Sequence, residues 1–221
     1  MMSDDQDTSS TANTRLLKTY QEARLQNTEN LRKLVVDAAA TLLQEEGPEA
    51  VTVRKVAQKM DCSTKIIYSL FVNKEGLAQQ LYLEGCKLLA YEFEATPQTA
   101  NPVQYFLNLC ETYWQFGQRY SGYYKLMFGG AFGNFKPDEE SMHGTVTAMR
   151  QLLTVINHAQ EHGLIPGQYD TESVVRIVWA SLHGVIHLYM GGHLGDVQSA
   201  HAVYKQTLSM IVSSLLPNHS T

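Results

Sequence analysis

The chain has 221 residues, of which 44% are hydrophobic and 10% aromatic, which is core material for one domain or for a small domain joined to a larger one. No apolar run approaches the ~20 residues of a spanning helix, so a membrane partner is not expected. The formal net charge of −5 excludes a uniformly basic, polyanion-binding surface. It is spread unevenly: residues 31–75 carry Arg32, Lys33, Arg54, Lys55, Lys59, Lys65 and Lys74 and are close to neutral, while the rest is acidic.

The N-terminus, MMSDDQDTSSTANT, is acidic and without an apolar segment, so it reads as a flexible arm over 1–27 rather than a secretory signal. A first helix follows, with Leu31, Leu34, Val35, Ala38, Ala39, Leu42 and Leu43 on one apolar stripe, ended by Gly47 and Pro48. Thr52 is placed to cap a second helix whose Val53, Val56, Ala57 and Met60 form a shorter stripe. After the tight connection Asp61-Cys62, Ser63 can cap a third helix, STKIIYSLF, and Asn73 a long fourth one that ends before Pro97. Further helices are expected over PVQYFLNLCETYWQFGQRY and GYYKLMF, then a loop at GGAFGNFKPDEE. A long helix is expected from about residue 140 to 162, one capped by Thr171 that stops at Gly191, and a last one from about 197 to 215. Strand-like alternation is absent, so the class is all-α.

The third helix is barely two turns long and marginal by itself. At about 100° per residue from Lys65, its Ile66, Ile67, Leu70 and Phe71 fill an apolar arc, while Tyr68 and Ser69 flank Lys65 on the other side. Two short helices joined by a few residues, the second held by its apolar back, form a helix-turn-helix. The second helix of that motif enters the major groove with its N-terminal residues at base edges. Thr64, Lys65, Tyr68 and Ser69 are residue types that reach bases and phosphates, with Ser63 at the helix start. Thr52 and Arg54 open the preceding helix, where free N–H groups favour a phosphate, and Lys74 opens the fourth. The competing reading is a solvated face on a small helix.

The run Thr52-Val-Arg-Lys-Val-Ala-Gln-Lys-Met60, with Ser63, Ile67-Tyr68, Phe71, Asn73-Lys74-Glu75 and Leu77, resembles the DNA-binding domain of TetR-family repressors. Ala38-Ala39, Leu42-Leu43 and Glu46-Gly47 match that domain's first helix, so the resemblance spans about residues 31–80. It implies that Tyr68 and Lys74 hold phosphates, that Thr64 and Lys65 face bases, and that Arg54 reaches a base in some members. Two positions depart from the pattern: Asp61 stands where the turn usually has glycine, and Leu70 where a polar residue often meets phosphate. Further on, Trp179-Ala-Ser-Leu-His183-Gly184 resembles a signature of one branch of TetR-like C-terminal domains, as Tyr123-Tyr124-Lys-Leu-Met127-Phe128 resembles a segment upstream of it. That likeness implies a bundle that binds a small effector and pairs two subunits through its last helices.

Tyr113, Trp114, Phe116, Tyr123, Tyr124, Met127, Phe128 and Trp179 are together enough aromatic and thioether surface to line an apolar cavity, or simply a core. Tyr113, Trp114, Tyr124, Phe128, Trp179 and His183 are the candidate effector residues. The pairs His158/His162 and His183/His187 stand at i, i+4, a spacing that chelates zinc or nickel. No Glu follows the first His as in HExxH and no nearby Cys or carboxylate completes a set, so interfacial or capping histidines are expected and no metal. GxSxG, CxxC and P-loop motifs are absent, and neither catalysis nor a cofactor is expected. Three scattered cysteines, Cys62, Cys86 and Cys110, point to reduced thiols in a cytoplasm.

These features combine into a helix-turn-helix DNA-binding domain over 28–75, linked by the long fourth helix to an effector-binding and dimerisation bundle over 76–221. The expected function is a homodimeric transcriptional repressor that binds a palindromic double-stranded DNA operator under control of a small molecule. A metal-dependent or aromatic-pocket helical enzyme is the alternative.

Overall fold

The computed structural model describes residues 5–129 and 135–216, with side chains placed from residue 18 onward. Part of the loop expected at 129–140 therefore lies outside the described residues, as do the first four residues of the expected arm and Pro217. Among the described residues the regular structure is entirely helical. The chain divides into two compact units, one ending at Ala78 and the other beginning at Gln79.

In the N-terminal unit, α1 (Asp5–Glu46) is followed by a single 3-10 turn at Pro48–Ala50, by α2 (Val53–Lys59) and by α3 (Thr64–Leu70). The arm expected over 1–27 is corrected: from Asp5 onward it is the first part of α1. No glycine or proline occurs between residue 5 and Gly47, so nothing in the chain stops the helix, and polarity alone is a poor guide to coil. At Gly47 a φ of 87° breaks it, a conformation that glycine adopts without a Cβ penalty. The core of this unit consists of Val35, Ala39, Leu42 and Leu43 from α1, Val53, Val56 and Ala57 from α2, and Ile67, Leu70 and Phe71 at α3. Leu34, expected on the buried stripe, is 57% exposed, because the stripe narrows once only two short helices cover it.

Helix α4 (Lys74–Glu94) starts in the first unit and runs into the second, so the division expected between 75 and 76 falls inside its first turn. Asn73 caps it through Oδ1, which accepts from Gly76 N at 2.9 Å. The C-terminal unit continues with α5 (Pro102–Arg119), α6 (Ser121–Phe128), α7 (Glu139–Ala148), α8 (Arg150–Glu161), α9 (Thr171–Met190) and α10 (Val197–Leu215). Helix α9 packs on α5, α8 and α10, and α5 also packs on α6 and α8.

Three expectations for this unit are corrected. The long helix expected over 140–162 is two helices that meet at Met149, where ψ is 1°. The β-branched run Thr145-Val146-Thr147 weakens the helix just before the bend, and the Met149 side chain is buried there. Asp170, not Thr171, caps α9 by accepting from Ser173 N at 2.8 Å. The Thr171 hydroxyl instead reaches Asn157 and Gln160 of α8 at 2.6 and 2.7 Å. Finally, α9 is a 20-residue helix long and apolar enough, by length and composition, to cross a membrane. It is a helix of the bundle that carries Glu172, Arg176, His183 and His187.

Asp138, Asp170 and Asp196 cap α7, α9 and α10. Hydrogen bonds from the serine three residues on hold each carboxyl below the usual range, so part of the acidic balance serves helix ends.

Ile67 is 1% exposed and is the deepest anchor of α3. Ile67→Ala is expected to destabilise the N-terminal unit by about 2–4 kcal/mol, read from denaturant unfolding, while the exposed Val72→Ala serves as the neutral control.

Candidate nucleic-acid interface and effector site

Helix α2 closes in a Schellman turn. Asp61 N donates to Gln58 O at 3.2 Å and Cys62 N to Ala57 O at 2.9 Å, with Asp61 left-handed at φ 50°. Aspartate tolerates that conformation better than most L residues, which explains its presence where the resemblance expects glycine. The chain is then extended at Ser63 (φ −80°, ψ 147°), which takes the N-cap position of α3 without any side-chain bond to the helix.

On α3 the residues Thr64, Lys65, Tyr68 and Ser69 are exposed, Tyr68 by 54%, while Ile67, Leu70 and Phe71 point into the core. Ile66, expected on the buried arc, is 36% exposed and belongs to the outer face. An apolar residue among polar ones is what a thymine methyl would meet, and helical spacing alone, which put Ile66 beside Ile67, could not reveal it. The Ser69 hydroxyl donates to Ile66 O at 2.7 Å, so its proton is engaged within the helix and only its lone pairs face outward.

Thr52 caps α2 by accepting from Lys55 N at 3.2 Å, and Arg54 beside it is exposed. Lys55 and Lys59 are tied to Glu46 and Glu45 of α1 at 2.5 and 3.1 Å. Among the described residues, Arg54 and Lys65 have no carboxylate within ion-pair distance, which leaves them as cations directed outward. Lys74 is half-buried at the start of α4. A shallow groove runs between α1 and the end of α3, lined by Tyr20, Arg24, Asn27, Thr28, Ser69 and Leu70. None of these α1 residues is among the sequence candidates, and Tyr20, Arg24 and Asn27 fall in the stretch expected as an arm.

In the C-terminal unit, α5, α6 and α9 bring five of the six candidate effector residues together. The Tyr124 hydroxyl lies 2.5 Å and the Tyr113 hydroxyl 3.4 Å from His183 Nδ1, and Trp179 Nε1 donates to the Tyr113 oxygen at 3.0 Å. Phe128 meets the Tyr124, Trp179 and His183 rings edge-on at centroid distances of 5.2, 5.7 and 5.3 Å. Tyr113 and Tyr124 are almost fully buried, and His183, Trp179 and Phe128 half-buried. Burial pushes both phenols well above their ordinary range. Burial, and then the neighbouring His187, lower the His183 pKa, so the network is neutral.

Trp114 does not join them. It stacks on His201 at 4.9 Å and packs against Tyr189 and Tyr204, in a separate cluster between α5 and the last helices. The five rings close on one another, and two apolar grooves of this unit lie elsewhere, one around Phe106, Ile156 and Val212 and one between α9 and α10.

A second polar group escaped the sequence reading. The Tyr82 hydroxyl of α4 bonds Thr145 Oγ1 of α7 at 2.7 Å, with Cys86 Sγ 3.8 Å from the same oxygen. Among the described residues the buried Ser141 hydroxyl has no hydrogen-bond partner. Burial pushes the Cys86 thiol up to about 11, so it stays protonated. Gly85 lets α6 approach α4 here, since a Cβ on it would stand 2.6 Å from Met127 Sδ. The three cysteines are unpaired.

Glu161 corrects one expectation about the histidines. Its carboxylate stands within 4.8 Å of the ligand atoms of both His158 and His162, so a carboxylate does complete that pair. His183 and His187, with ring centroids 5.9 Å apart, belong to the aromatic network instead.

Residues 35–81 match the family of bacterial regulatory proteins of the tetR type, and residues 106–211 match the tetracyclin repressor-like C-terminal domain. Similar solved structures share the fold at low identity. A protein of unknown function from Rhodococcus sp. RHA1 has a TM-score of 0.71 at 20% identity, over 84% of this chain and 95% of its own. PfmR, a TetR family transcriptional regulator from Thermus thermophilus, has a TM-score of 0.61 at 19% identity, over 81% and 97%. FadR, a transcriptional regulator from Bacillus subtilis in complex with stearoyl-CoA, has a TM-score of 0.63 at 14% identity, over 83% and 98%. No curated protein matches the sequence. The enzyme alternative is set aside, because both matched segments are those of a regulator. With the helix-turn-helix and most of the C-terminal bundle matched, the chain belongs to the TetR family of DNA-binding transcriptional regulators.

Proposed function

We propose that this regulator is a cytoplasmic homodimeric repressor whose α3 helices read the two halves of a palindromic operator, and whose C-terminal unit releases the DNA on binding a small effector. The observation that carries this reading is the division of α3, with Ile67, Leu70 and Phe71 buried behind Thr64, Lys65, Ile66, Tyr68 and Ser69. A helix so anchored offers a rigid outer face. In this reading Thr64, Lys65 and Ile66 meet base edges. Arg54, Tyr68 and Lys74 hold phosphates, with Thr52, Ser63 and the Ser69 oxygen at the margins.

One such face covers one half-site, and a two-fold dimer covers two about 34–36 Å apart or at a multiple. Support for pairing through the last two helices comes from Ile177, Leu188, Val203 and Met210, which are 61%, 46%, 40% and 65% exposed on α9 and α10. Exposed apolar side chains on two adjacent helices favour a partner over water.

The effector is read by Tyr113, Tyr124, Phe128, Trp179 and His183, with Trp114 outside the site. The network is neutral and offers hydroxyl, imidazole and indole groups within an apolar frame, so it suits an uncharged or largely apolar molecule. FadR of Bacillus subtilis, of similar fold, holds stearoyl-CoA. Helix α4 belongs to both units and carries Tyr82, Gly85 and Cys86, so it is the covalent path by which a change among α6 and α7 reaches the helix-turn-helix. A dimer with altered α3 spacing loses one half-site and falls toward salt-sensitive, non-specific affinity.

Selection of bound DNA from a random pool supplies the operator, and fluorescence anisotropy then tests the roles. Lys65→Ala is expected to cost about 1–3 kcal/mol and to relax preference at one or two base pairs. Tyr68→Phe and Lys74→Ala weaken all sequences alike, the lysine change also flattening the salt dependence. Unaltered binding by all three would end the assignment.

For dimerisation, Ile177→Glu combined with Met210→Glu is expected to give monomers in sedimentation and to reduce operator affinity at least tenfold, with helicity retained. For the network, the sign follows from the lowered His183 pKa. The unfolded chain takes up a proton near pH 6.5 that the folded site refuses. Stability is therefore full above that pH and falls as pH drops through it. His183→Gln is expected to make the fall of the thermal midpoint between about pH 7 and pH 5 shallower.

A further inference from the structure

We infer that the C-terminal turn of α8 is a binding site for one divalent transition-metal ion of the zinc, nickel or copper class, held by His158, Glu161 and His162. Four observations carry it. The three residues stand at i, i+3 and i+4, so one helical turn aligns them on a single face. Their ligand atoms all lie within 4.8 Å of one another, and the two rings are already paired at a centroid distance of 4.1 Å. Small rotamer changes would bring such atoms around one ion.

The third observation is the tautomer. His162 Nδ1 lies 2.8 Å from the carbonyl oxygen of His158, which can only accept, so in the neutral ring Nδ1 carries the proton and Nε2 has the lone pair. An imidazole whose other nitrogen donates to a backbone carbonyl is oriented and made more basic as a ligand. The fourth is position. Glu161 is the last residue of α8 and His162 its C-cap, where the negative end of the helix dipole favours a cation. Directly after, Gly163 at φ 71° turns the chain away and leaves that end open to solvent.

Two imidazoles and one carboxylate select the ion. They suit zinc, nickel or copper, whereas magnesium and calcium prefer sites built of oxygen alone. The ligands fill one side of the ion and leave its remaining positions to water, which distinguishes the site from a closed structural zinc centre. Binding ties residues one turn apart, so the ion fastens the end of α8 and the start of the connection to α9. The site is independent of the DNA-reading face and of the aromatic network.

The test is isothermal titration of the untagged full-length chain with zinc chloride, and separately with nickel and magnesium chloride, in the absence of DNA. The expected result is saturable binding of one zinc or nickel ion per chain, no magnesium binding, and a rise of the thermal midpoint on adding zinc. His158→Gln and His162→Gln are each expected to lower the affinity at least tenfold and Glu161→Gln several-fold, while the exposed His143→Gln leaves it unaltered. Retained helicity of the variants in circular dichroism excludes misfolding as the cause of a loss. Absence of saturable binding, or binding unaffected by the two histidine variants, overturns the site; insensitivity to Glu161→Gln overturns the three-ligand assignment.

Discussion

The DNA-reading unit depends on the packing of Ile67, Leu70 and Phe71 against the apolar stripes of α1 and α2. A seven-residue helix has no stability in water, so its orientation is entirely that of the surface it rests on. Burial of those side chains fixes the rotation of α3 about its own axis and so decides which residues face outward. The left-handed Asp61 places α3 against α2 at the angle this packing needs, and extended Ser63 starts the helix without a side-chain bond. The outer face of such a unit is a consequence of core packing: an error of one position in the buried set would rotate Lys65 and Tyr68 off that face.

Electrostatics refine the same face. The chain is acidic overall, yet Glu45 and Glu46 neutralise Lys59 and Lys55 on the flank, and Asp138, Asp170 and Asp196 are engaged at helix ends. What remains outward around α3 includes Arg54 and Lys65, with Asp61 as the opposing charge in the turn. A surface of modest positive charge limits non-specific affinity for DNA, since each phosphate contact adds to salt-dependent, sequence-independent binding.

The C-terminal unit follows a different logic. Its core is apolar, but hydrogen-bonded groups are set within it, among them one joining Tyr113, Tyr124, Trp179 and His183 and one joining Tyr82, Thr145 and Cys86. Polar groups inside a low-dielectric interior are costly unless satisfied, and they hold their neighbours in one arrangement. Among the described residues, Gln118 Nε2 and the Ser141 hydroxyl are buried without a hydrogen-bond partner, and Ser141, beside the second group, lies where α7 meets the helix that enters both units. A ligand that offered or withdrew a hydrogen bond in such surroundings would alter the packing of α4.

Much of this was legible in the sequence. The caps at Thr52 and Asn73, the end of α1 at Gly47, the bounds of α10 and the outward Lys65, Tyr68 and Ser69 are properties of local propensity and of the 3.6-residue repeat. Other features rest on which side chains meet across elements, and no single-segment pattern holds that information. Ile66 turned outward while Ile67, Leu70 and Phe71 took the buried face, and Trp114 left the aromatic set to stack on His201 of α10. Thr171 gave the cap to Asp170 once Asn157 and Gln160 of α8 were within its reach, and the helix over 140–162 bent where Met149 became buried. Sequence by itself thus determined the helical class, most of the helix ends and the outward Lys65, Tyr68 and Ser69; tertiary structure decided which partners each face found, because burial is shared among elements distant in the chain.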